Sequence, residues 1–160
     1  MGRTAREVIK ANVDEVISDL LKTYADEWLA HYQYWAAAQW IRGIDADTLR
    51  PILLKQSMDE LKHAEKAARR IIQLGGKIVL DFDRLLKTSG CGYIPPPEDP
   101  TDHRKLIEDV LKAERCAIKF YSQMVEKYRQ TDIVTHELFE ELLEDEVDDE
   151  EEWENILAKL

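Results

Sequence analysis

Positive charge is scarce in this chain. Its 160 residues include 22 lysines and arginines against 33 aspartates and glutamates, a formal net charge of −11. That balance opposes contact with a phosphate backbone. The N-terminal segment offers only Arg3, Arg6 and Lys10 as a basic tail, so direct DNA binding is not expected. Cysteine is nearly absent too. Cys91 and Cys116 cannot supply the framework of a disulfide-stapled scaffold, and in a cytosol they would ordinarily be reduced thiols. No apolar run approaches the ~18 residues of a membrane span and nothing resembles a secretory leader, so a cytoplasmic protein without a membrane partner is the expectation. Glycine and proline are few, and most of them fall between Gly75 and Pro100, leaving the rest of the chain free to form long helices.

What is present is a helical period. Charged residues make up 34% and hydrophobic residues 44% of the chain, a globular composition, and the length fits a single domain over 1–160. Thr4-Ala5-Arg6-Glu7 and Asn12-Val13-Asp14-Glu15 read as capping boxes, so a short leading helix is expected before the first long one. Four long helices are predicted at about 13–42, 48–74, 102–130 and 132–159. Between the second and third lies a crossover at 77–100, where glycines and the run Pro95-Pro96-Pro97 exclude one continuous helix, although a turn of helix near Phe82–Leu86 fits. Short, long, short is the connection pattern of an all-α four-helix bundle with one crossover.

Each helix carries an apolar stripe at 3.6-residue spacing, and each stripe has acidic residues near its middle. Glu27 interrupts the first, Glu60 and His63 the second, and Glu114 the third. The fourth contains LEDEVDDEEEW, Leu143 to Trp153. Most of that run reads as a solvated helix face, with Glu144, Asp145, Asp148, Glu151 and Glu152 turned away from the stripe. Glu146 and Asp149 face inward, and Glu150 sits at the edge. Five carboxylates and one imidazole in an apolar core need compensating charge. Two divalent cations would supply it, and the spacing Glu60-Leu-Lys-His63 is the Glu-x-x-His ligand pair of carboxylate-bridged dimetal sites. Alone, that pair reads more readily as an exposed i,i+3 contact than as a ligand pair; the three other centred glutamates favour the metal. His31 lies one turn beyond Glu27 and is open to a supporting role. His103, His136 and the four tryptophans read as structural, core or subunit-interface groups.

These stretches resemble the ferritin superfamily, and within it the Dps-like thioferritins. ADEWLAHYQYW in the first helix, DELKHAE in the second, CGYIPPPED in the crossover, AERCAIKFY in the third and LLEDEVDDEEEWENIL in the fourth carry the likeness. The resemblance implies that Glu27 is a terminal ligand of one metal, that Glu60 and Glu146 bridge or chelate, that His63 ligates one metal and that Glu114 ligates the other. Tyr34 matches a tyrosine close to the ferroxidase centre. Asp149 stands where the family pattern has His. It also implies a Cys91–Cys116 disulfide near the metal centre, the alternative being two free thiols. Leu61 occupies the place where bacterioferritins carry a haem-ligating Met, so haem is not expected.

The function expected from this resemblance is that of a miniferritin. It would bind two metal ions per chain, iron first and manganese as the alternative, and oxidise Fe(II) with hydrogen peroxide or dioxygen. The chain closes soon after Trp153 without a fifth helix, which with the resemblance implies a homo-oligomeric dodecameric cage. The competing readings are a dimetal peroxidase or catalase that stores nothing, and a cage protein whose site is impaired by Asp149.

Overall fold

The computed structural model describes residues 2–160, and among them there is no strand. Six helices follow in chain order: α1 (Arg3–Glu7), α2 (Val13–Trp40), α3 (Ala46–Gln73), α4 (Phe82–Thr88), α5 (His103–Tyr128) and α6 (Ile133–Leu157). Helices α2, α3, α5 and α6 form the bundle. The short turn at 41–45 makes α2 and α3 antiparallel neighbours, the turn at 129–132 does the same for α5 and α6, and the two hairpins pack through α2 on α5 and α3 on α6.

Side chains fix three of the six helix starts. Asn12 Oδ1 accepts from the N–H groups of Asp14 and Glu15, Asp102 from Lys105 N and Asp132 from Thr135 N, each satisfying an otherwise orphaned donor. The Thr4 capping box does not form: α1 starts at Arg3 with Gly2 as a cap that makes no side-chain bond. Helix α2 stops two residues short of the expected position 42. Ile41 is extended, Arg42 N donates to Pro100 O at 2.9 Å, and the Arg42 guanidinium caps the carbonyls of Gln39, Trp40 and Ile41.

The core is split in two. One apolar cluster packs Val16, Leu20, Ala67, Ile71, Tyr128, Phe139 and Leu142 at one end of the bundle. A second packs Ala37, Leu49, Leu53, Ile107, Val110 and Trp153 at the other. On all four helices the buried residues between those clusters include ionisable ones, Glu27, Glu60, His63, Glu114 and Glu146. The crossover runs along the outside of α2, held at three points seven residues apart. Asp26 accepts from Ser89 Oγ, Gly90 N and Cys91 N; Gln33 Oε1 accepts from Ile94 N; Trp40 Nε1 donates to Pro97 O. This strap lays Cys91 on α5, where it is bonded to Cys116 with Cα atoms 5.8 Å apart.

Candidate metal centre

The middle layer gathers its side chains from all four helices. Glu27 on α2, Glu60 and His63 on α3, Glu114 on α5 and Glu146 on α6 are each 1–3% exposed. One donor atom from each of Glu27, Glu60, His63 and Glu146 lies within 4.8 Å of all the others, close enough to share a cation. Glu114 falls outside that group of four but lines the same small cavity as Glu27, Glu60 and Glu146, about 30 Å³, which holds one or two water-sized species.

Three of the clustered atoms fit a metal in a specific way. His63 Nδ1 lies 3.3 Å from Glu60 Oε2 and 3.4 Å from Glu146 Oε1, yet all three atoms are buried without a hydrogen-bond partner. Orphaned polar atoms are costly in a core unless something else coordinates them. Carboxylate oxygens with one imidazole nitrogen are the donor set of iron and manganese sites.

Around these ligand candidates the bundle repeats itself about a pseudo-twofold. Glu27 and Tyr34 on α2 are seven residues apart, as are Glu114 and Tyr121 on α5. Tyr34 donates its hydroxyl to Glu114 Oε1 and Tyr121 donates to Glu27 Oε1, each tyrosine serving the opposite helix. Likewise Asp59-Glu60-x-x-His63 on α3 answers Asp145-Glu146-x-x-Asp149 on α6. Asp145 Oδ2 lies 3.0 Å from His63 Nε2, which orients the ring so that Nδ1 turns to the cluster. The dyad breaks at Asp149. Its carboxylate accepts from Gln56 Nε2 at 2.6 Å, while Asp59, the counterpart of Asp145, is paired with Lys62 at 2.7 Å and Lys55 at 3.5 Å.

Without a metal, burial and mutual repulsion shift the titration of the cluster. Burial, then the charges of Glu146 and Glu27, hold Glu60 well above the usual carboxylate range. Burial and the neighbouring Glu146 and Asp149 do the same to Glu114. Burial also opposes charge on His63, but its contacts with Glu146, Glu27 and Glu60 outweigh that and raise its pKa. Glu27 is the one pushed down: burial would raise it, and the contacts from Glu60, His63 and Tyr121 win. Burial lifts Asp149 to about 6 against the opposing bond from Gln56. Raised carboxylates beside a raised imidazole are the direction in which a buried polycarboxylate cluster shifts when no metal supplies the charge.

Of the residues singled out in the sequence, Glu27, Glu60, His63, Glu114, Glu146 and Tyr34 come together in this layer. Asp149 reaches its edge and is half-buried. Glu150 does not take part, because Arg115 binds it at 2.6 Å along with Glu154. His31 is turned away, its Nδ1 2.7 Å from Ser57 O. His103 and His136 hold backbone carbonyls, those of Arg42 and Val125. Asp145 corrects the expectation that it is only solvated surface: half its side chain is exposed, and its carboxylate still touches His63. Tyr121 and Gln56, which fall on the apolar stripes of α5 and α3, also bear on the site. The signal for Tyr121 was its seven-residue spacing from Glu114, the same as Glu27 to Tyr34.

Fold and site together define a four-helix bundle with a buried carboxylate–histidine cluster able to hold a metal ion. The chain belongs to the ferritin-like domain family, whose sequence model matches residues 17–160. It is 25% identical over 147 residues to the "DNA protection during starvation protein" of Pyrococcus furiosus, covering 92% of this chain and 79% of that one. It is 32% identical over 142 residues to the bacterioferritin of Desulfovibrio desulfuricans, covering 88% and 72%. Among solved structures, the dodecameric thioferritin of Bacteroides fragilis superposes with a TM-score of 0.93 at 27% identity, covering 99% of this chain and 94% of that chain. Among the described residues, no helix is long and apolar enough to cross a membrane.

Proposed function

We propose that this protein is a ferroxidase of the miniferritin kind, taking Fe(II) as substrate at a dimetal site within each chain. The observation that carries the reading is the set of orphaned atoms: Glu60 Oε2, His63 Nδ1 and Glu146 Oε1 are buried, mutually adjacent and without hydrogen-bond partners, which is the arrangement of ligands rather than of packing. In this reading Glu27 and His63 serve one metal, Glu114 and Asp149 the other, and Glu60 and Glu146 both. Two iron ions bound there supply two electrons; with hydrogen peroxide and two protons the products are two Fe(III) and two water molecules.

The chain's own groups do the rest. Tyr34 and Tyr121 each occupy one oxygen of Glu114 and Glu27, leaving the other oxygen of each to face a cation. Asp145 keeps the proton of His63 on Nε2 and the lone pair of Nδ1 toward the centre. The protons on Glu60 and Glu114 leave as metal enters. An aspartate in place of a neutral ligand at position 149 makes one subsite all-oxygen, favouring harder ions such as Fe(III) over Fe(II) or Zn(II). A homo-oligomeric cage of twelve chains, by analogy with the dodecameric thioferritin, would keep the ferric product as mineral, and the acidic balance would draw cations to it.

The test is iron loading in repeated Fe(II) and peroxide pulses, followed by gel filtration with iron analysis. Mineral co-eluting with the protein supports storage. Fast peroxide consumption with no retained iron contradicts storage and leaves a turnover enzyme.

A further inference from the structure

We infer that Gln56 is the positioning residue for Asp149, and that the two form a matched pair holding the all-oxygen metal subsite in place of a histidine. This rests on the dimetal reading above and says how its atypical half is built. The pseudo-twofold relates Glu60 to Glu146, His63 to position 149, Asp59 to Asp145 and Gln56 to Leu142. Around the matching Asp59-Glu60 and Asp145-Glu146 most positions of the two segments differ, among them 149, where Asp answers His63, and 56, where Gln answers Leu142. Those two departures touch each other: Gln56 Nε2 donates to Asp149 Oδ1 at 2.6 Å.

On the other half, Leu142 is fully buried among apolar neighbours and His63 is oriented from outside by Asp145. Asp59 does not perform that service for Asp149, since two carboxylates repel and Asp59 is held by Lys62 and Lys55. A carboxylate is also shorter than an imidazole. A donor from one turn before Glu60 is what can fix it, and Gln56, with no exposed surface, is that donor. Gln56 Nε2 has a longer second contact, 3.5 Å to Glu152 Oε2, while Gln56 Oε1 is buried and unpartnered, an orphaned oxygen near the Asp149 carboxylate. A lone buried amide is costly to keep in a core, and Leu would fill the space without that cost. Its tie to Asp149 is the reason for glutamine.

Anaerobic Co(II) titration of the metal-free full chain, followed by d–d absorption and calorimetry, separates the two subsites without turnover. Wild type is expected to take two Co(II) per chain. Gln56→Leu should weaken one of them by about 10- to 100-fold, as loss of an orienting partner does, and leave the other within about threefold. In an Asp149→Ala background, Gln56→Leu should change nothing further, the signature of action through Asp149. Combining Gln56→Leu with Asp149→His rebuilds the repeat and should regain the second ion, an outcome that also shows the leucine to be tolerated by the fold. Equal affinities in wild type and Gln56→Leu, or the same loss with and without Asp149, would overturn the inference. A wild type that binds fewer than two Co(II) would overturn the dimetal reading itself.

Discussion

Removing the cross-link between the crossover and α5 should cost stability without costing the site. The Cys91–Cys116 bond spans a sequence separation of 25 residues, and in the chain-entropy model a closed loop of that size lowers the free energy of the folded state relative to the unfolded chain by about 3.5 kcal/mol. In the folded state the strap has its other fastenings, the three donors on Asp26, the Ile94 bond to Gln33 and the Trp40 bond to Pro97, so the double variant Cys91→Ser, Cys116→Ser should keep the crossover in place. For a domain of this size each kcal/mol moves the melting midpoint by about 2–4 °C, which gives a fall of about 10 °C. The assay is thermal unfolding of metal-free wild type and double variant by circular dichroism, at equal protein concentration because assembly also shifts the midpoint. A shift under about 3 °C would refute the unfolded-state argument. A normal midpoint loss with a loss of metal capacity would instead show that the bond holds the site.

Metal-free stability should fall as pH rises from about 5.5 to 8. Glu60 and Glu114 are raised above 4.5, so the native state keeps protons that the unfolded chain has released; His63 is raised above 6.5, and its contribution, full below that value, is lost toward its folded pKa. Glu27 is lowered and loses its contribution only in acid, outside this window. A metal-free midpoint that climbs over the same range, measured by calorimetry, would contradict the protonated cluster. Arg70→Ala should cost about 3–5 kcal/mol in urea unfolding, because it strands Asp132, which Arg70 grips at 2.8 and 2.9 Å in the core; a loss below 1 kcal/mol would mean water replaces the guanidinium. Tyr34→Phe should cost about 1 kcal/mol of stability and slow Fe(II) oxidation, with metal stoichiometry unchanged by titration; an unaltered oxidation rate would confine Tyr34 to packing.

Periodicity made the central layer legible because a helical wheel reports direction. Glu27, Glu60, His63, Glu114 and Glu146 each interrupt an apolar stripe, and a charge that points inward has few bland explanations. Reach is another matter. Asp145 lies one residue from Glu146 and therefore well off the stripe, yet α3 is near enough for its carboxylate to meet His63. Tyr121 lies on the stripe of α5, and a stripe says nothing about where a buried hydroxyl finds its acceptor. Asp26, Gln33 and Trp40 keep a seven-residue spacing, but nothing within α2 tells that their partners lie on a strap 57 to 65 residues downstream. The Thr4 capping box failed for a local reason: a five-residue helix has little to hold its register, and Gly2 takes the cap position without a side chain.

The most direct test of the dimetal ferroxidase reading is a single-turnover experiment. Metal-free protein is loaded anaerobically with two Fe(II) per chain, then mixed with one equivalent of hydrogen peroxide and followed by absorbance, beside Glu60→Ala. The reading requires that wild type bind both ions and oxidise them in one fast phase, and that Glu60→Ala lose that phase together with at least one ion. Oxidation at the same rate in both proteins, or wild type that holds no more iron than Glu60→Ala, would contradict it.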